Sequence, residues 1–225
     1  MNALDRKAWL SISVLAVAMG ALLFLPAGTI RYWPGWGYLA IFFGASALLT
    51  IYLSKKDPAL LKRRLTGGPN AEKERTQKVI MFFLSVEFLA LLVVPALDYR
   101  YSWSNVPATV IIASDMVAAV GFYIIYLVYK ENTFASARIE LAADHIVIST
   151  GPYAIVRHPM YAGAFLYTVA TPIALGSYWG LLVVVAMLPF LIWRLLDEER
   201  FLLKNLPGYT EYYSKTRWRV VPGVF

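Results

Sequence analysis

Gly151-Pro152-Tyr153-Ala154-Ile155-Val156-Arg157-His158-Pro159-Met160-Tyr161-Ala162-Gly163 is the one stretch in which turn formers, a cation and aromatic residues gather between strongly apolar segments. Proline restricts the residue before it to extended geometry and is well tolerated at the first position of a helix. His158-Pro159 therefore reads as the last loop residue followed by a helix start. Arg157 and His158 then stand at a helix N-terminus, where free backbone N–H groups and the positive end of the helix dipole favour an anion. A guanidinium beside them adds bidentate recognition of a carboxylate or phosphate. The alternative is a basic loop that meets lipid headgroups, since positive residues are common at membrane edges.

Downstream, two apolar runs at 161–175 and 178–195 are joined by Gly176-Ser177, which predicts a tight helical hairpin. The first arm rises only about 22 Å at 1.5 Å per residue and contains Pro172, so full crossing of the bilayer stays open. Upstream, apolar runs at 8–25, 36–53, 79–97 and 107–129 are each long enough to span a hydrocarbon core of about 30 Å. Ala16-Val17-Ala18 resembles a signal-peptide cleavage site, but 19–25 continue the apolar run where a polar mature start is expected, so the segment reads as a retained span. The expected fold is an all-α integral membrane protein with about six transmembrane helices.

Charge orients it. The segment 54–78 holds Lys55, Lys56, Lys62, Arg63, Arg64, Lys73, Arg75 and Lys78, so the positive-inside rule assigns it to the cytoplasm. An even number of spans then puts both termini on the cytoplasmic side, with Arg31 and Arg100 the only basic residues outside. Within this segment, Asp57-Pro58 is a cap and first-turn pair, and 59–65 fit a short amphipathic helix on the headgroups, ended by Gly67-Gly68-Pro69. Glu87 and Asp115 lie inside spans, where a charge is costly. Protonated carboxyls paired between adjacent helices, or a proton pathway, would account for them.

Composition narrows the function classes. Of 225 residues 59% are hydrophobic and only 16% charged, far from a soluble domain. Cysteine is absent, which excludes thiolate nucleophiles and cysteine-ligated metals, and two histidines, His145 and His158, argue against a bound metal. The net charge of +7 falls beside apolar spans and suits anionic lipid headgroups rather than nucleic acid. No internal repeat is visible. The division expected is functional: a scaffold of four spans at 1–130, then a cofactor-binding loop, hairpin and cytoplasmic tail at 131–225.

A second polar cluster follows the last span: Trp193-Arg194-Leu195-Leu196-Asp197-Glu198-Glu199, then Tyr209, Tyr212, Tyr213, Arg217, Arg219 and Pro222. Arg194 and Glu198 are four residues apart and share a helical face, so they form either an ordinary stabilising pair or two walls of a cavity opposite Arg157 and His158. Antiparallel hairpin arms bring the two clusters to one end.

Together the two clusters resemble the membrane-embedded methyltransferases typified by isoprenylcysteine carboxyl methyltransferase. The resemblance rests on GPYxxVRHPxYxG at 151–163, on His145-Ile146-Val147-Ile148 before it, and on RxxxEE at 194–199 followed by a tyrosine-rich tail and Arg219-Val220-Val221-Pro222. It covers roughly the last two-fifths of the chain. The resemblance implies S-adenosylmethionine as cofactor, with His145, Ile146, Val147, Ile148, Tyr153, Arg157, His158, Pro159, Met160, Tyr161 and Glu198 as its contacts. By the same resemblance Arg194 is the catalytic arginine that holds the acceptor carboxylate. Arg138 stands seven residues before His145, where the family commonly has a polar amide.

The expected reaction is methyl transfer to a lipophilic acceptor at the cytoplasmic membrane face, most simply carboxyl O-methylation, since a carboxylate is already ionised and needs alignment more than a base. Phospholipid N-methylation and thiol S-methylation are alternatives. An NADPH-dependent membrane reductase and a non-enzymatic membrane protein are readings of other classes. Membrane lipids are the expected surroundings and a lipid or lipophilic small molecule the expected partner. A compact chain of this size points to a prokaryotic plasma membrane.

Overall fold

The computed structural model describes residues 2–67, 72, 74–137, 139, 141 and 145–225. The fold is all-α: α1 Ala3–Ala27, α2 Trp33–Lys56, α3 Pro58–Arg64, α4 Arg75–Tyr101, α5 Ala108–Glu131, α6 Pro159–Ala174, α7 Gly180–Asn205 and α8 Tyr209–Lys215, with a short 3-10 turn at Gly151–Ala154. Local chemistry sets the ends. The Asn2 side chain accepts from the Asp5 N–H to start α1, and Gly28 in the left-handed region stops it. Asp57 ends α2 and caps α3 by accepting from the Leu60 N–H at 2.8 Å, with Pro58 in the first turn. The short helix expected at 59–65 is thus present; Gly68 and Pro69 of its proposed breaker lie outside the described residues.

Helices α1, α2, α4, α5 and α7 are each long and apolar enough to cross a membrane. Side chains such as Leu10, Val17, Leu25, Phe82 and Val185 face outward and uncovered, as they do when lipid is the solvent. The protein is an integral membrane protein. Helix α6 is shorter, spanning about 24 Å at 1.5 Å per residue, yet it links the two ends of the bundle. It starts at His158 beside the C-terminal tail, and the turn after it is held at the opposite end. There the Tyr32 hydroxyl donates to the Leu175 carbonyl at 2.5 Å and the Ser177 hydroxyl donates to Asp98 at 2.5 Å. Asp98, fully buried, also accepts from the Ser104 N–H and hydroxyl, so one carboxylate fastens α4 to the hairpin turn.

The hairpin turn is tight, with Gly176 at φ 77°, but its arms splay. Helix α6 lies chiefly against α5 and α7 against α4. The reason is at Gly121 and Gly163: a Cβ on either would come within 2.6 or 2.7 Å of the other's carbonyl oxygen, so the two backbones touch and no side chain fits between. Arms that diverge toward α5 and α4 leave room between their far ends. The Ser54 hydroxyl donates to Asp5, and the Arg157 and His158 N–H groups donate to the Trp218 and Arg219 carbonyls, so the start and end of the chain lie at that same open end.

Glu87 and Asp115 do not pair. Helix α4 packs on α1 and α7, while α5 packs on α6 and α2, so the two carboxyls are on helices that are not neighbours. Each has one buried oxygen with no hydrogen-bond partner among the described residues. Asp115 instead faces α2, where a Cβ on Gly37 would lie 3.1 Å from its Oδ2.

Candidate functional site

At the open end, the splayed arms of α6 and α7, residues 132, 134–137, 139 and 145–148, and helix α8 enclose a cavity of about 310 Å³. All twelve residues singled out in the sequence border it: His145, Ile146, Val147, Ile148, Tyr153, Arg157, His158, Pro159, Met160, Tyr161, Arg194 and Glu198. Two motifs some forty residues apart thus form walls of one space, because the chain turns back at 175–179.

One wall is the start of α6. Pro159 opens the helix and no side chain caps it, so the first-turn N–H groups of Met160 and Tyr161 are left toward the cavity end. The Tyr161 hydroxyl donates to Glu198 Oε2 at 2.7 Å across the cavity. Glu198 Oε1 makes no hydrogen bond to any described residue. His145 stacks on Phe134, ring centroids 4.6 Å apart, and Val147, Ile148, Leu202 and Leu206 make the lining beside them apolar.

Arg157 departs from both readings of it. The side chain is buried, 4% exposed, and so is not a headgroup contact. Its Nε donates to Glu199 at 2.7 Å, its Nη1 donates to the carbonyls of Thr216 and Arg217, and its guanidinium lies over the Tyr213 ring at 4.3 Å. Arg219 Nε also donates to Glu199, at 3.0 Å, and His158 Nε2 lies 3.5 Å from it. The guanidinium is therefore committed to protein partners rather than held for a ligand anion. With Glu199 it clamps the tail over the cavity, helped by the Tyr212 hydroxyl donating to the Tyr153 carbonyl.

Arg194 and Glu198 do not make the simple helical pair. Arg194 reaches instead to the start of α4 and the residues before it: Nη2 donates to Glu72, just before the helix, at 2.8 Å, and Nη1 to Gln77, in its first turn, at 2.7 Å. The Gln77 amide in turn donates to Asp197. Nothing in the spacing of the basic segment 54–78 marks Glu72 or Gln77, and the amphipathic pattern of α3 points only to headgroups. Yet Arg64 borders the cavity, fixed by a bond from its Nη1 to the Ser136 carbonyl. Arg138 lies outside the described residues.

The cavity tyrosines stay protonated at physiological pH. Burial pushes the phenols of Tyr153 and Tyr209 well up, and that of Tyr212 up to about 12. The Tyr209 hydroxyl is buried on the cavity wall with no partner among the described residues. Among the same residues no group of three or more His, Asp and Glu side chains is arranged to hold a metal.

Deeper in the bilayer a second hollow opens between α1 and α4, lined by Leu15, Met19, Leu22, Phe88 and Leu89 and almost wholly apolar. Met81 and Leu84 of α4 line both spaces. They are the wall shared by the cavity that the two motifs line and the apolar hollow.

Comparison with known proteins falls on this part of the chain. Residues 108–207 match the phospholipid methyltransferase family. The match runs from α5 through both cavity motifs and bears out the resemblance to membrane methyltransferases. Curated relatives are the protein-S-isoprenylcysteine O-methyltransferases of Schizosaccharomyces pombe, 34% identical over 73 residues, and of Dictyostelium discoideum, 30% identical over 88. That of Saccharomyces cerevisiae is 32% identical over 79 residues. These alignments cover 32–36% of this chain and 31–35% of each relative. The chain therefore spans about a third of the length of the relatives it matches. The family match ends at 207, before the tail residues Tyr209, Tyr212 and Arg219 that close the cavity here.

Proposed function

We propose that this protein transfers a methyl group from S-adenosylmethionine to a lipophilic acceptor, most simply as carboxyl O-methylation of the isoprenylcysteine type. The observation that carries the reading is the convergence of the two motifs on one cavity that shares Met81 and Leu84 with an apolar hollow open toward the bilayer.

The donor set fits the cofactor's chemistry. Glu198, with Oε1 unbonded, suits an ammonium, and the N–H groups of Met160 and Tyr161 suit a carboxylate at a helix N-terminus. The unpartnered Tyr209 hydroxyl offers a further donor, and Val147, Ile148 and the Phe134–His145 stack offer an apolar slot for a flat ring. We assign Arg157 a positioning role, through Glu199 and the tail. S-adenosylmethionine, when bound, supplies an electrophilic methyl group on a sulfonium.

Around it the chain's residues align and exclude water. Tyr153, Tyr161 and Tyr209 present neutral phenols, so none removes a proton from the acceptor near neutral pH; an already ionised carboxylate needs none removed. Arg194 orients that carboxylate, and in-line alignment supplies the entropic part of the rate. The acceptor's tail lies in the α1–α4 hollow, its head passing Met81 and Leu84. The described basic residues Arg63, Arg64 and Lys78 lie at the cavity end with the start of α1 and the C-terminal tail, which supports a cytoplasmic active site by the positive-inside rule; the membrane we propose is a prokaryotic plasma membrane. In this reading 1–130 is a scaffold that also lends Arg64, Glu72, Gln77, Met81 and Leu84 to the unit at 131–225. A second reading, N-methylation of a phospholipid amine, is favoured by one observation: Arg194 already has a carboxylate partner in Glu72.

Calorimetry of detergent-purified protein tests the proposal. S-adenosylmethionine should bind and NADPH should not, and Glu198→Gln should weaken the binding at least tenfold by removing the charge that meets the ammonium. Binding of NADPH alone, or of neither, would sink the reading.

A further inference from the structure

The surroundings of Arg194 are divided into two unlike halves. On one side Nη1 donates to Gln77, whose own amide is anchored on Asp197, one helical turn along α7. Gln77 is buried, 2% exposed, and sits inside α4, so this side is fixed by two spanning helices. On the other side Nη2 donates to a single oxygen of Glu72, at 2.8 Å, and more weakly to the Ala137 carbonyl at 3.4 Å. Glu72 belongs to no helix and lies just before α4. Its side chain is 2% exposed and Arg194's is 11% exposed.

A guanidinium this buried is unfavourable without an anion, because its desolvation is uncompensated. A fork of five donors meets a carboxylate best through two parallel bonds, and Glu72 uses one oxygen. The pair therefore covers the charge without filling the fork, and Arg194 borders the same cavity as Glu198 and Tyr161. We infer that Glu72 is a tethered stand-in for the acceptor's carboxylate: it occupies the exchangeable side of Arg194 and is displaced when an acidic acceptor docks, while Gln77 and Asp197 keep the guanidinium aimed. The inference rests on the proposed carboxyl methylation and deepens it, by naming the residue that sets how strongly the site selects an acidic head.

The consequence is a competition within the protein. A carboxylate fixed to the same chain acts at high effective concentration, and an acceptor acid must outbid it. Apparent affinity falls by the fraction of protein in which Arg194 is uncovered. If Glu72 covers Arg194 about nine-tenths of the time, its removal tightens the acid about tenfold. An acceptor with no carboxylate feels none of this. A Glu72 that merely props Arg194 has the opposite signature, since its loss would misplace the guanidinium and weaken the acid.

The test uses the full chain in detergent micelles, with an N-acetylated S-prenylcysteine as acid probe and its methyl ester as control. Both are titrated by tryptophan fluorescence into wild type, Glu72→Gln and Glu72→Ala, with S-adenosylmethionine binding measured alongside as the check on the underlying reading. The expected result is about tenfold tighter binding of the acid in both variants, unchanged binding of the ester, and a matching rise in kcat/KM for the acid. Unchanged or weaker acid binding in Glu72→Gln overturns the inference while leaving the methyltransferase reading intact, provided wild type still turns the acid over. Absence of acid binding in all three proteins overturns both the stand-in role and the carboxyl acceptor. Equal tightening of acid and ester also overturns it, since then the cavity has only been enlarged.

Discussion

Removing the Glu199 carboxylate should release the C-terminal tail from the bundle. Glu199→Ala strands Arg157, whose side chain is 4% exposed, and leaves Arg219 and His158 facing it. Breaking a buried ion pair by deleting one partner costs about 3–5 kcal/mol. Two features hold the figure to the lower end: Arg157 keeps its bonds to the Thr216 and Arg217 carbonyls and its stack on Tyr213, and Arg219 is 29% exposed and so screened by water. About 3 kcal/mol taken from local opening, at 1.4 kcal/mol per factor of ten, raises the open population by roughly two orders of magnitude. Trypsin cleavage after Arg217 and Arg219 in micelle-embedded protein reads this population when reclosing is fast. Cleavage of Glu199→Ala should be about a hundredfold faster than wild type, and Glu199→Gln should fall between. The exposed Lys215–Glu211 pair is the control, because an exposed ion pair contributes little and Lys215→Met removes only a surface contact. A cleavage rate for Glu199→Ala within threefold of wild type would refute the clamp.

Gly121→Leu should separate α5 from α6, because even a Cβ there would lie 2.6 Å from the Gly163 carbonyl. The expected outcome is a lower melting temperature and lost turnover, and a wild-type melting temperature would show that the close approach is not required. Leu84→Trp should obstruct the proposed route of the acceptor's tail past the wall that the two hollows share. It is expected to raise KM for a long-chain acceptor at least tenfold while S-adenosylmethionine binding, by calorimetry, changes less than twofold; equal losses in both would mean that the tail takes another route.

Much of the architecture was legible because the bilayer imposes a strong constraint: apolar runs of fixed length must be helices, and proline and glycine mark their ends. Pro58 and Gly176 did so here, and the return of the hairpin put 151–163 beside 194–199. The splay of α6 from α7 was hidden, since it comes from the contact of Gly121 with Gly163, and glycine carries no periodic signal. Glu199 stood in the quoted RxxxEE motif and Arg157 in the other, but their pairing was hidden, because a pair separated by forty residues has no spacing rule. Glu72 was the least readable of all: an acid among basic residues looks like ordinary surface charge until Arg194 is seen to turn toward it. Glu87 and Asp115 misled for the opposite reason, as two acids at similar depth suggest a pair only if their helices touch.

The central claim is tested most directly by incubating the purified protein, reconstituted in vesicles with an N-acetylated S-prenylcysteine, with methyl-labelled S-adenosylmethionine and extracting the lipids. The account predicts label in the organic phase that is released as methanol by mild base, as a methyl ester is, and that is lost in Arg194→Ala although that variant still binds S-adenosylmethionine. Base-stable label appearing only on an aminophospholipid would contradict the carboxyl acceptor, and no extractable label together with no binding of S-adenosylmethionine would contradict the methyltransferase itself.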